Sequence, residues 1–301
     1  MYTRLILLVT IGLLSKYLYN EYQESEDMFD SYEQYNLVSD YYIGGTKMNR
    51  RKPILWIHTT TDRNNRNWMS FGSRSTTTLN QPYLQITMKS IYDKCKKSFN
   101  IVLIDDDTFR RLLSWNIDLD DLADPVKSHY RKLGLSMIIQ SFGGMVVPQS
   151  LLCTKNLYDI YKTGLSKNSM FVFDTINMSM MGCRRGSSTM NSFIEYQELL
   201  YKDKSGQTDF KKSAEQWLTN RKSVSHLNAK YIGLEQQDGT PITIDQWLGT
   251  SIVLVPSTIY GIYLPAEEIL KRIKYSWFAR MSTNQVLNSH LMIAKYMLAA
   301  Y

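Results

Sequence analysis

The stretch VKSHYRKLGLSMIIQSFGGMVVPQSLLCTK, residues 126–155, decides the fold class of this chain. Its first half repeats apolar side chains on one face of a helix. Asp124 and Pro125, just before it, offer an N-cap and a first-turn proline. Gly143 and Gly144 can adopt the positive φ that ends a helix, and the three residues after them are apolar and β-prone. The stretch therefore predicts a helix that leads directly into a buried strand.

Three further apolar runs have the composition of buried strands. They are PILWIH at 53–58, IVLI at 101–104 and MFVF at 170–173. Between the first two runs, residues 83–97 repeat apolar side chains with the period of an amphipathic helix. Strands that alternate with helices predict an α/β fold, with a doubly wound, mainly parallel sheet flanked by helices.

The second half of the chain has a less regular pattern. Residues 251–255, SIVLV, indicate a further strand. Helices are predicted at 191–202, 211–220, 265–280 and 284–300. We expect the last of them to dock on the rest of the body, because it is amphipathic.

The N-terminus carries an apolar run, LILLVTIGLL at 5–14, behind Arg4. The run is shorter than the roughly 20 residues that span a bilayer, but no small-residue cleavage site follows it. We interpret 1–19 as an uncleaved membrane anchor; a cleaved signal and an ordinary helix are the alternatives. The base before the run and the acidic segment after it predict a single-pass type II membrane protein with a lumenal or exoplasmic body. After the anchor we expect an acidic stem at 20–52 and then a body at 53–301.

The charge of the chain is unevenly distributed. The net charge is +7, residues 1–20 contain two bases, and residues 21–40 contain seven acids and no base, which leaves +12 for residues 41–301. A basic body suits an anionic ligand or an anionic membrane, and a solvated surface is the alternative. The sequence shows no nucleic-acid-binding motif, so we expect no nucleic acid as a partner. It also lacks G-x-S-x-G, Walker A and G-x-G-x-x-G patterns.

Carboxylates follow two of the predicted strands. Ligands of open α/β sheets bind outside the carboxyl ends of the strands. Asp105 and Asp107, after IVLI, are candidates for binding a divalent metal or a nucleotide ribose. The alternative is that Asp106 or Asp107 caps a helix that begins near Thr108. Asp174, after MFVF, is the candidate catalytic base, with a turn-forming role as the alternative.

A pair of arginines is the candidate for phosphate binding. Arg184 and Arg185 stand beside Gly186, in a segment that precedes a predicted helix. A solvated basic turn is the alternative interpretation.

Several segments together resemble a family of glycosyltransferases that carry an Asp-x-Asp metal site, the initiating mannosyltransferase and capsular-polysaccharide synthesis type. The segments are PILWIHT at 53–59, FNIVLIDDDTF at 99–109, 134–147, MFVFDTIN at 170–177 and MGCRRGSSTMNSFIEY at 181–196. The resemblance covers roughly residues 53–200 and implies a GT-A type fold. It also places Gly143 and Gly144 beside the donor-binding strand, which makes them candidate cofactor-binding residues.

The chain departs from that family at four functional positions. The family's Asp and Arg on the helix fall on Lys132 and Leu135, and its metal-binding pair falls on Pro148 and Ser150. Sugar transfer leaves a diphosphate, whose charge must be stabilised by Mg²⁺ or Mn²⁺, or by Lys and Arg. In a divergent transferase these would be a metal on Asp105 and Asp107, or the bases Lys132, Arg184 and Arg185.

Two functional hypotheses follow from the resemblance and its departures. The first is a divergent glycosyltransferase that uses a nucleotide sugar, a glycan acceptor and Mn²⁺ or Mg²⁺, or no metal. The second is a degenerate, non-catalytic relative, anchored in a membrane as a structural or interaction protein. The Tyr- and Met-rich, Ala-poor composition is compatible with a large DNA virus as the source.

Overall fold

The computed structural model describes residues 37–45, 47–60, 81–113, 115–202 and 209–301. The predicted anchor at 1–19 lies outside these residues, as does most of the predicted stem. Within the described ranges, no helix is long and apolar enough to cross a membrane.

A six-stranded sheet forms the centre of the body, in the order β2-β1-β3-β6-β5-β7. Its strands are β1 (Ile54–His58), β2 (Asn100–Ile104), β3 (Gly144–Pro148), β5 (Met170–Phe173), β6 (Met181–Cys183) and β7 (Val224–Leu227). Strand β6 is antiparallel to its neighbours β3 and β5, whereas β1 is parallel to β2 and β3, and β5 is parallel to β7. Two further strands, β4 (Leu151–Cys153) and β8 (Gly261–Tyr263), form a separate antiparallel pair. The predicted mainly parallel sheet is confirmed.

Helices cover both faces of this sheet. In chain order they are α1 (Leu84–Cys95), α2 (Asp106–Leu113), α3 (Val126–Phe142), α4 (Tyr158–Gly164), α5 (Ser188–Lys202), α6 (Phe210–Thr219), α7 (Ile244–Trp247), α8 (Ala266–Lys271), α9 (Ser276–Ala279), α10 (Thr283–Leu287) and α11 (Met292–Ala300). Successive strand residues point to opposite faces of a sheet. Accordingly, Trp56 packs with α3 and α5 in one core, and Leu55 and Ile57 pack with α1 and α4 in another.

A third core lies between the β4–β8 pair and the C-terminal helices. Ile293 and Met297 of α11 are fully buried in it. The expected docking of the C-terminal segment on the body is therefore confirmed, although the segment forms two helices, α10 and α11, rather than one.

Gly143 and Gly144 make the connection from α3 to β3. Gly143 has a φ of 72° and Gly144 a φ of 94°, values that favour glycine. A Cβ atom on Gly144 would lie 2.1 Å from the carbonyl oxygen of Ile54. The absence of a side chain at Gly144 thus allows β3 to approach β1, and the prediction that this pair stops the helix is confirmed.

Three local predictions were wrong. Residues 251–255 form no strand: Ile252 and Leu254 are 75% and 68% exposed, while Val253 is buried and Val255 is half-buried against the third core. The helix predicted at 265–280 is interrupted at Arg272, whose φ of −86° and ψ of 122° are extended. No side chain caps α3 at its start, because its N-cap position is Pro125 rather than Asp124.

Candidate functional site

The parallel strands present their carboxyl ends along one edge of the sheet, here called the carboxyl edge. His58 ends β1, Pro148 ends β3 and pairs with His58 in register, and Asp174 follows β5. Asp105 follows β2 at the same edge. Open α/β sheets bind their ligands at this edge. The predicted candidates Asp105, Asp107 and Asp174 therefore lie on the side of the sheet where a ligand is expected.

The first ionisable cluster of the carboxyl edge consists of His58, Asp106 and Arg131. Asp106 Oδ1 lies 2.9 Å from His58 Nε2, and Arg131 donates from Nη2 to Asp106 Oδ2 at 2.6 Å and from Nε to Oδ1 at 3.0 Å. Burial opposes ionisation of Asp106, but the hydrogen bonds from His58 and Arg131 outweigh it and hold the pKa of this carboxyl well below its usual range. His58 also stacks on Phe109, with ring centroids 5.1 Å apart. Both His58 and Arg131 thus have Asp106 as their hydrogen-bond partner. The cluster therefore has a structural role: it holds β1, α2 and α3 together at the carboxyl edge.

Asp105 and Asp107 flank this cluster but have different surroundings. Asp105 Oδ1 accepts from the backbone N–H of Thr108 at 2.9 Å and from its hydroxyl at 2.6 Å, which is the geometry of a helix cap. Helix α2 thus begins at Asp106, and Asp105 caps it in place of the expected Asp106 or Asp107. Asp107 is exposed on the first turn. The metal on Asp105 and Asp107 stays a prediction.

The residues at the two positions where the resembled family binds its metal do not fit a divalent cation. Pro148 has no donor side chain, and Ser150 is only 2% exposed. Magnesium is bound in proteins through one or more carboxylates, and neither position supplies one. Across the described ranges, no group of three or more His, Cys, Asp or Glu side chains is arranged to hold a metal ion.

A second cluster surrounds Lys132, which reaches the carboxyl edge from α3. Its Nζ lies 3.4 Å from the carbonyl oxygen of Met178 and 3.4 Å from Oγ of Ser179, both long for hydrogen bonds. Burial lowers the pKa of Lys132; the charge of Glu267 raises it, and those of Lys211 and Arg131 lower it further. Lys132 is therefore a half-buried ammonium with two distant, neutral acceptors and other bases nearby.

Tyr263 of β8 borders the Lys132 cluster. Burial raises the pKa of Tyr263 to about 12, Glu267 and Glu268 contribute to this rise, and a hydrogen bond with Ser179 opposes it. Tyr263 also pairs with Leu151 in the β4–β8 ladder. The short 3-10 helix Asn177–Ser179 contacts β3 as well. Lys132 is thereby linked, through Ser179 and Tyr263, to the segment that follows Pro148.

The third cluster pairs Asp174 with His226, the third residue of β7. The Oδ1 of Asp174 lies 3.1 Å from Nδ1 of His226, and the Asp174 side chain is 48% exposed. Thr175, directly after Asp174, has a φ of 71°, a conformation that β-branched residues rarely adopt. Asp174 thus combines the predicted position at a turn with an accessible carboxylate that a histidine orients.

The remaining predicted residues lie at the opposite edge of the sheet, where the parallel strands begin. Gly143 and Gly144 precede or start β3, and Arg184 follows the antiparallel β6. Arg184 donates from Nη2 to the carbonyl oxygen of Leu165 at 3.0 Å. Arg184 and Arg185 line an open groove of about 650 Å³ at the start of α5. The structure therefore does not bring these glycines and Arg184 together with Asp105, Asp107 and Asp174.

Several residues of the carboxyl edge were not singled out from the sequence. Arg131 and His226 are 25 and 52 residues away from their carboxylate partners. No local pattern connects residues at such separations. His58 ends the apolar strand β1, and its Nε2 finds its hydrogen-bond partner in Asp106 Oδ1 at 2.9 Å.

No protein-family model and no curated protein matches the chain. Among solved structures, the chain is similar to the crystal structure of the apo-form glycosyltransferase GlyE of Streptococcus pneumoniae TIGR4, with 11% identity and a TM-score of 0.38 over 79% of this chain and 62% of that one. A second crystal structure of GlyE gives 12% identity and a TM-score of 0.34 over 60% of this chain and 46% of that one. The chain thus spans less than two thirds of the GlyE chain in both comparisons.

Proposed function

We propose that the chain is a divergent glycosyltransferase-like protein that transfers a sugar from a nucleotide sugar to a glycan acceptor. The sequence resemblance over residues 53–200 supports this proposal. One structural observation carries it: three ionisable clusters, around Asp106, Lys132 and Asp174, lie along the carboxyl edge of a mainly parallel sheet. In open α/β sheets this edge is where the ligand binds.

The transfer reaction assigns a role to the accessible carboxylate. The acceptor hydroxyl oxygen forms a bond to the anomeric carbon of the sugar, and the bond from that carbon to the diphosphate breaks. The nucleoside diphosphate leaves with the electron pair, and the hydroxyl proton passes to a base. Asp174, oriented by His226 at 3.1 Å, is the proposed base. The paired cluster of His58, Asp106 and Arg131 positions α3 against the edge.

A degenerate, non-catalytic relative is the second candidate function. The residues at positions 148 and 150 favour it, because they supply no carboxylate where the resembled family binds its metal. Such a protein would keep the architecture and act as a membrane-anchored structural or interaction protein.

A binding experiment tests the proposal, and the transfer activity of the wild type separates the two candidates. The full chain in detergent is titrated with UDP, GDP and their sugars, with and without Mn²⁺, and its thermal unfolding is followed. A ligand at 100 times its dissociation constant adds about 2.7 kcal/mol of stability. If no nucleotide raises the melting temperature in either condition, the proposal is wrong.

The variant Asp174→Asn keeps the size of the side chain and removes the base. We expect it to bind the nucleotide sugar as the wild type does and to lose at least about 100-fold in transfer rate. Nucleotide binding by a wild type that transfers no sugar would favour the non-catalytic relative instead.

A further inference from the structure

The side chain of Lys132 lies at the carboxyl edge, where the diphosphate of a nucleotide sugar would bind under the proposed function. Its ammonium lies 3.4 Å from Oγ of Ser179 at the carboxyl edge, and Ser179 also hydrogen-bonds with Tyr263. The 3-10 helix that carries Ser179 contacts β3. The segment after β3 offers Pro148 and a buried Ser150 in place of carboxylates. The basic side chain that approaches the 3-10 helix at this edge thus comes from α3.

The charges of the cluster favour an anion. Lys132 makes no ion pair within the described part of the chain, and its two acceptors are neutral oxygens at 3.4 Å. Glu267, the carboxylate that acts on it electrostatically, is exposed and already pairs with Lys271 at 3.7 Å. A half-buried ammonium without a close acceptor is unfavourable by itself and is stabilised by an incoming anion.

The substitutions relative to the resembled family change the local charge in the same direction. The four positions lose three carboxylates and one guanidinium and gain the ammonium of Lys132. This is a net gain of three positive charges, which exceeds the two that a divalent cation would supply. The positive charge that a metal ion would supply to a bound diphosphate is therefore already supplied by the protein at these positions.

We propose that Lys132 binds the diphosphate of a nucleoside diphosphate or nucleotide sugar directly, in place of a divalent cation, so that nucleotide binding by this chain needs no metal. The inference rests on the proposed function. It assigns to the donor site a cationic residue on α3 and excludes the segment after β3 as a metal-binding element.

The test measures the affinity of the full chain for UDP and for GDP by calorimetry, in EDTA and in Mn²⁺. We expect the nucleotide that binds to do so in EDTA with an affinity within about threefold of that in Mn²⁺. The variant Lys132→Met, which keeps most of the length of the side chain and removes the charge, should bind at least about tenfold more weakly. The matched control Lys97→Met makes the same change of net charge at an exposed turn before β2, at the opposite edge, and should not alter the affinity.

A second readout separates direct binding from a structural role. Because burial lowers the pKa of Lys132, its charge does not stabilise the fold. The ligand-free Lys132→Met variant should therefore melt no lower than the wild type. A lower melting temperature together with the weaker affinity would indicate a structural residue and would overturn the inference.

The remaining outcomes distinguish this inference from the proposed function. Binding that requires Mn²⁺, or metal-free binding that Lys132→Met leaves unchanged, would refute the role of Lys132 and leave the transferase hypothesis intact. Absence of binding by every nucleotide in both conditions would refute both.

Discussion

Asp106 and Lys132 are charged residues of the same edge with opposite environments. Asp106 has two donors within hydrogen-bonding distance, whereas Lys132 has two neutral acceptors at 3.4 Å. Removing one partner of a charge that is paired inside the protein destabilises the fold, whereas a charge without a close partner is available to a ligand. The sequence alone does not separate these two cases, because the partners of Asp106 come from β1 and α3.

The pairing of Asp106 predicts a pH-dependent contribution to stability. Its pKa in the folded state is depressed, so the contribution is fully present above the unfolded pKa of about 3.9 and is lost progressively as the pH falls from there through the lower, folded pKa. We expect Asp106→Asn to lower the free energy of unfolding by about 2 kcal/mol at neutral pH, because Arg131 loses its charged acceptor. Urea unfolding should show this difference shrinking as the pH is lowered from about 5 to about 3.

Asp107→Asn is the control for that measurement, since Asp107 is exposed on the same turn of α2. This substitution should change the free energy of unfolding by no more than about 0.5 kcal/mol. A loss at Asp107 as large as that at Asp106, or a difference that does not change with pH, would contradict the assigned role of the pairing.

At the level of elements, the long and strongly patterned segments were predictable. The strands β1, β2, β3 and β5 are continuous apolar runs, and their burial follows from that composition. The strands β4, β6 and β8 have three residues each and were missed, because such short runs carry no period. The strand predicted at 251–255 was wrong for a different reason. An apolar run becomes a strand only when it has a neighbouring strand to pair with, and SIVLV has none in the described part of the chain.

The connection between α3 and β3 provides a prediction at this level. Gly144→Ala places a Cβ atom 2.1 Å from the carbonyl oxygen of Ile54, so β3 must move away from β1. We expect a loss of about 3 kcal/mol or more in the free energy of unfolding, from backbone strain and overpacking together. Gly239→Ala is the matched control, because Gly239 has a similar φ of 85° and a Cβ atom added there would meet nothing within 4 Å.

The control variant Gly239→Ala should lose about 1 kcal/mol in the free energy of unfolding, which is the cost of the positive φ alone. Both values come from urea denaturation of the full chain. Equal losses at the two glycines would mean that the contact with Ile54 does not limit the approach of the strands.

For the whole molecule, the sequence predicted the sheet better than the site. It placed Asp105, Asp107 and Asp174 at the carboxyl edge, because each follows a recognisable strand. It did not indicate that Arg184 follows an antiparallel strand and therefore lies at the opposite edge. Strand direction is a property of the assembled sheet, and β6, the strand that reverses it, was among those too short to predict.

The distribution of charge gives the last prediction. Residues 41–301 carry +12, of which four charges lie at 47–52, so the body at 53–301 carries +8. It therefore attracts a nucleotide by a long-range field as well as by Lys132. The Debye length falls from about 10 Å at 0.1 M salt to about 3 Å at 1 M, which screens the field more than the half-buried contact. Between these concentrations we expect the affinity for UDP in EDTA to fall by about threefold to tenfold. UMP, which carries fewer phosphate charges, should lose less, and calorimetry of both nucleotides measures the contrast. An equal response of UMP and UDP would show that the phosphate charges do not interact with the field of the basic body, and it would contradict this prediction.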